Sequence, residues 1–204
     1  MLGLLVVVAG MASMAVEMGA ARLLAPFFGS SLYIWGILIG LVLVYLTAGY
    51  WLGGRLADRV PRREVLLYGL VAAALAIGLV AVVAWPVLGL ALAGTEHLPF
   101  GLFWGAFLAC LLLFSAPTIL LGGVNPFAIR LAVERVEAAG NAAGSVFGLT
   151  TVGSLIGTFS TVFLLIPTFG TRATLLLFAA LLLLVSLLAL RLWPATHGPP
   201  ARLQ

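Results

Sequence analysis

The sequence predicts an all-α polytopic membrane protein with six transmembrane helices, and three observations carry that prediction. Hydrophobic residues make up 64% of the 204-residue chain and charged residues only 8%, with a mean hydropathy of +1.27, far above that of a soluble domain. Uncharged runs recur at the length, ~20 residues, needed to cross ~30 Å of hydrocarbon. All ten basic residues are arginine, and they crowd into alternate connections. A large soluble core is the competing reading, but its buried helices rarely repeat uncharged runs of this length.

Residues 1–193 form the membrane domain, with spans at 2–24, 32–54, 65–92, 100–121, 145–166 and 173–193. The first is the least regular, because Glu17 and Arg22 interrupt it. It does not read as a secretory signal: it has no basic leading region, and "AAR" runs on into more apolar sequence. The connections are short: Pro26–Ser31, Arg55–Glu64, Ala93–Pro99, a longer segment 122–144, and a tight turn Pro167–Arg172. The tail 194–204, rich in Pro and Gly, reads as a disordered cytoplasmic end or a linker.

Orientation follows from the arginines. Arg55, Arg59, Arg62, Arg63, Arg130, Arg135, Arg191 and Arg202 fall on one side of a six-span arrangement, leaving Arg172 and Arg22 for the other. Both termini are therefore expected in the cytoplasm, in a cell (inner) membrane protein. The net charge of +4 matches this bias and anionic headgroups of the lipid bilayer, and no basic, aromatic-studded surface suggests a nucleic acid partner. One cysteine, Cys110, cannot form an internal disulfide, and two distant histidines make no metal constellation. Neither redox chemistry nor a cofactor is readable.

Within 122–144, Pro126 stands where a helix would start, and Arg130, Glu134 and Glu137 form one stripe. The segment reads either as a short amphipathic helix on the cytoplasmic surface or as an extension of the preceding span. Asn125 before Pro126 is a helix-breaking polar pair, an ordinary terminus or a gate. The fifth span is the most patterned: Gly144, Gly148, Thr151, Ser154, Thr158 and Thr161 recur at helical steps, flanked by Thr150, Gly153, Gly157 and Ser160. Small residues let helix backbones approach closely in a bilayer, and Gly153/Gly157, Gly36/Gly40 and Gly49/Gly53 all have the required four-residue spacing. Tight packing and a hydroxyl-lined solute path through Thr151, Ser154 and Thr158 are both open readings.

Glu17 lies about two and a half turns before the end of the first span. An unpaired carboxylate buried there costs several kcal/mol, so it calls for protonation, a partner or a watery cavity. Arg22 is five residues away, turned about 140° around the helix, and more suited to snorkelling to the interface. A partner on another helix, or none, is expected. Glu17 then either fixes helix packing or marks a solute or proton path.

The run "GGRLADRVPRREVL", residues 53–66, resembles the loop of the major facilitator superfamily between its second and third helices. Gly54, Leu56, Asp58, Arg59, Arg62 and Arg63 match, while Pro61 replaces the usual glycine. The resemblance implies half of a facilitator bundle, a moving one in which this loop helps hold an inner gate; Asp58 and the arginines around it, near two helix ends, can form an ionic latch, and a plain Arg-rich topology signal is the alternative. A wider match, through "EMGAARLLAPFFGSSLYIWG", "GYWLGGRLADRVPRR", "LLGGVNPFAIRLA" and "AAGSVFGLTTVGSLIGTFSTVFLLIPTFGTR", resembles the membrane portion of membrane-bound spermidine synthase-like proteins. That family is described as a facilitator-like bundle fused to an aminopropyltransferase domain. No stretch after Arg191 can supply such a domain, and only six carboxylates are present, so this chain alone is not expected to catalyse aminopropyl transfer.

Two readings compete. In one, the bundle binds or moves a small solute such as a polyamine, Glu17 being the cation ligand or proton carrier, and a homodimer completes the path because a facilitator needs two halves. In the other, it anchors a separately encoded cytoplasmic aminopropyltransferase-like subunit through the Arg55–Glu64 loop and the amphipathic segment.

Overall fold

The computed structural model describes residues 1–133, 135 and 138–193. Glu134, Glu137 and the tail 194–204 lie outside the described residues. The described chain is helical: α1 (Leu2–Phe28), α2 (Leu32–Arg59), α3 (Arg63–Thr95), α4 (Gly101–Gly122), α5 (Val124–Ala132), α6 (Ala139–Phe159), a π-helical turn (Ser160–Leu165) and α7 (Ile166–Leu192). Five helical stretches are long and apolar enough to cross a membrane by length and composition, with α4 and α5 counted as one and Ala139–Leu192 as another. Leu43, Leu75, Leu79, Leu112 and Leu184 are exposed on the outside of the bundle, as a lipid-facing surface requires.

Helix ends run further into the connections than composition alone suggests. The loop expected over Arg55–Glu64 shrinks to Val60–Arg62, so Asp58 and Arg59 belong to the last turn of α2 and Arg63 opens α3. Polar residues at a span's end need not leave the helix, because outside the hydrocarbon the helix continues in headgroups or water. Pro26, likewise, sits inside α1. Pro126 does not break the chain from α4 either. Gly123 keeps right-handed helical angles, and proline in the first turn of α5 removes only an N–H that would have no partner in its own helix.

The turn expected at Pro167–Arg172 is confined to Gly170, where φ is +78° and ψ 167°, angles open to glycine. Its effect is a reversal. A Cβ on Gly3 would meet Leu149, one on Gly153 would meet Val7 and one on Gly157 would meet Met11, so α1 and α6 run parallel. Continuing that register would set Leu175 opposite Gly29, yet Leu175 packs on Gly19. α7 has therefore turned back, and it runs antiparallel to α3: Ala179 meets Gly78, and Arg63 stands over the Trp193 ring at 5.8 Å while donating to its carbonyl.

α1 is the hub, packed against α6, α7, α4 and α3. Its buried face, including Leu5, Ala12, Val16, Ala20 and Leu24, belongs to one core with Leu67, Leu70 and Ile77 of α3, Phe114 of α4, and Leu175 and Leu182 of α7. α2 joins through α4 rather than α1, the two running parallel with Gly49 and Gly53 against Gly122 and Gly123. Gly36 and Gly40 share that four-residue spacing, but among the described residues no atom lies within 4 Å of a Cβ built on either.

Candidate functional site

The seam between α1 and α6 is built from absent side chains. A Cβ on Gly10 would lie 2.5 Å from the Thr150 carbonyl oxygen, and one on Gly157 would lie 2.5 Å from that of Met11. Backbones this close leave Ser154 Oγ to donate to the Gly10 carbonyl across the seam at 3.4 Å. Gly144 and Gly148, part of the same sequence stripe, would carry a Cβ with no atom of the described residues within 4 Å. The packing face is instead Val146, Gly153, Gly157 and Thr161, all buried, with Thr150 and Ser154 half-buried.

Glu17 is half-buried on α1, and its carboxylate accepts from Ser13 Oγ at 3.4 Å. The expected alternatives were a partner on another helix or none, and the partner is on its own helix. Four residues make one turn, which stacks Ser13 beneath Glu17. Among the described residues Glu17 has no ion pair. Arg22 is exposed and does not approach it.

Register extends the neighbourhood. Ser154 meets Gly10, Val7 meets Gly153 and Met11 meets Gly157, and that register, carried two turns further along the parallel helices, sets Glu17 at the height of the π-helical turn Ser160–Leu165. Thr161 is fully buried, its hydroxyl has no hydrogen-bond partner among the described residues, and it sits in the π-helical turn, a wider winding that often marks functional positions. Thr158, one turn before, spends its hydroxyl on the Ser154 carbonyl at 2.8 Å. Thr151 is exposed and bonds the Phe147 carbonyl of its own helix, so it does not join this group. Of the expected path residues, Ser154 bonds across the seam, Glu17 and Thr158 are half-buried and bonded within their own helices, and Arg22 and Thr151 are exposed. Gly10 was missed in the sequence, because nothing local in α1 marks which of its small residues meets α6, and Ser13 was missed although its four-residue step to Glu17 is local.

The end of the bundle where α2 meets α3 carries a second cluster. Asn125, buried at the start of α5, accepts at Oδ1 from Thr150 Oγ1 at 2.7 Å and so ties α5 to α6. Asp58 pairs with Arg130 Nε of α5 at 3.4 Å, both side chains well exposed. Arg63 pairs with Glu64 at 2.8 Å, Arg55 lies over the Trp51 ring at 3.6 Å, and Arg59 and Arg62 are exposed. Asp58, expected to meet the arginines of its own loop, thus pairs instead with Arg130 and links α2 to α5. An exposed pair contributes about 0.2–1 kcal/mol, enough to bias an equilibrium but too little to hold the fold. Asp58→Asn is therefore expected to leave the yield of folded protein unchanged while raising thiol labelling of single cysteines placed over residues 55–64. Unchanged labelling would mean that the pair holds no conformation.

A search of family models, of curated proteins and of solved structures finds no match to this chain.

Proposed function

We propose that the chain is a six-span, facilitator-like half bundle of a spermidine synthase-like system that binds or moves a small cationic solute, such as a polyamine, with Glu17 as the group that takes the cation. One observation carries this reading: a half-buried carboxylate inside an apolar helix has a serine hydroxyl for company and no ion pair among the described residues. A carboxylate that only fastened helices together would be expected to bond across the seam, as Ser154 does. Intramembrane carboxylates without such a structural bond mark cation or proton sites. Spermidine binding by the purified protein tests the reading. The parent is expected to bind and Glu17→Gln to bind roughly 30-fold more weakly, the equivalent of one charge-assisted hydrogen bond of about 2 kcal/mol. Equal binding by the two would remove Glu17 from the site, and no binding by the parent would remove the polyamine.

The six-span count takes the segments before and after Gly170 as separate spans, and the arginine bias places both termini in the cytoplasm of a cell membrane protein. Reporter fusions after Gln204 and within residues 93–99 are then expected on opposite sides. Reporters on the same side would exclude this arrangement.

A further inference from the structure

We propose that the inner end of α2 and α3 holds one anionic glycerophospholipid, its acyl chain in a crevice between the helices and its phosphate on Arg59 and Arg62. The proposal rests on the membrane reading and the orientation given above. The crevice has a volume of about 180 Å³ and is lined by Leu52, Gly53 and Leu56 of α2, Leu66 and Gly69 of α3, and Leu120 of α4. It is apolar, and it is partly made by missing side chains: no atom lies within 4 Å of a Cβ built on Gly69.

The rim supplies the charge. Arg59 follows Leu52 and Leu56 at helical steps of four and three residues, so it continues their stripe at the end of α2. Arg62, the last residue before α3, has extended backbone angles and stands about one turn before Leu66. Both arginines are exposed and make no ion pair among the described residues. Of the two nearby carboxylates, Asp58 pairs with Arg130 and Glu64 bonds Arg63 while also lying in the field of Arg62. Two guanidinium groups at the mouth of an apolar slot match a lipid phosphate above an acyl chain, and basic pockets between helices at the cytoplasmic face bind anionic headgroups.

The test is native mass spectrometry of the full chain released from mixed dioleoyl phosphatidylglycerol and dioleoyl phosphatidylcholine membranes. The parent is expected to retain one phosphatidylglycerol with a preference of roughly tenfold or more. Arg59→Gln with Arg62→Gln is expected to abolish the preference, and Gly69→Leu, whose Cβ would enter open space in the slot, to reduce retention of either lipid. Arg191→Gln, changing an exposed arginine at the end of α7, is expected to change nothing. The proposal is overturned if the double variant keeps the preference, if Arg191→Gln loses it equally, if Gly69→Leu retains lipid like the parent, or if excess inorganic phosphate displaces the lipid. A chain that does not fractionate with membranes would instead overturn the reading on which this one rests.

Discussion

Gly153→Leu is expected to abolish assembly of the bundle. Any side chain at this position would begin inside the Val7 backbone of α1, and the obstacle is a carbonyl that cannot swing aside as a side-chain tip can. Relief requires separating α1 from α6, which would break the Ser154 to Gly10 hydrogen bond and open the contacts at Gly10 and Gly157 together. Overpacking in a filled core costs about 1–3 kcal/mol even where side chains can yield, and a backbone obstacle belongs at or above the top of that range. Gly157→Leu should behave alike, since its Cβ would lie 2.5 Å from the Met11 carbonyl oxygen. Val152→Leu supplies the control, because Val152 is half exposed on the outer side of the same helix. The measurement is the yield of monodisperse protein after mild detergent extraction. Equal yields for all three would show that the two helices do not pack through this face.

Gly36→Leu and Gly40→Leu sharpen the point, since they have the spacing but no neighbour. Sequence spacing reveals that two glycines share a helix face. It does not reveal whether another backbone lies against that face. The same limit governs much of what was and was not legible. Helix existence was readable, because long uncharged runs have one stable solution in hydrocarbon. Helix ends were not, as Asp58 and Arg59 show: charge stops a span without stopping a helix. The reversal at Gly170 was readable as a turn through Pro167–Arg172, but its restriction to a single residue depends on backbone angles that no composition encodes.

The candidate site divides in the same way. Glu17 was conspicuous because a carboxylate in an apolar run is costly wherever its neighbours stand. Its partner Ser13 was local and one turn away, and so within reach of helix geometry. The hydroxyl stripe of α6 was visible as a stripe, yet Thr151 and Thr158 turn out to bond carbonyls of their own helix. Such bonds satisfy a hydroxyl in any apolar surrounding, so a row of threonines is not by itself a polar path. The tie between Thr150 and Asn125 and the pair between Asp58 and Arg130 join residues far apart in the chain, and only packing brings them together.

Glu17→Gln and Glu17→Leu are expected to separate binding from packing. Glutamine keeps the size of the side chain and can still accept from Ser13, so the bundle should fold with unchanged thermal stability. It cannot carry charge, and spermidine binding should fall roughly 30-fold, matching the loss of about 2 kcal/mol for a charge-assisted hydrogen bond. Leucine removes the hydrogen bond as well. Side-chain hydrogen bonds in bilayer proteins average about 0.6 kcal/mol, and an apolar side chain suits an apolar helix, so Glu17→Leu should also keep its stability within about 1 kcal/mol while losing cation binding. A carboxyl with a purely structural role predicts another ordering, in which leucine is the least stable and binding is the same in all three proteins. Binding over a range of pH adds a further discrimination. A carboxylate holds a cation only when ionised, so parental affinity should fall as the solution is acidified, and the glutamine variant should be flat. Parental and glutamine proteins with the same pH dependence would place the titrating group elsewhere and remove Glu17 from the cation site.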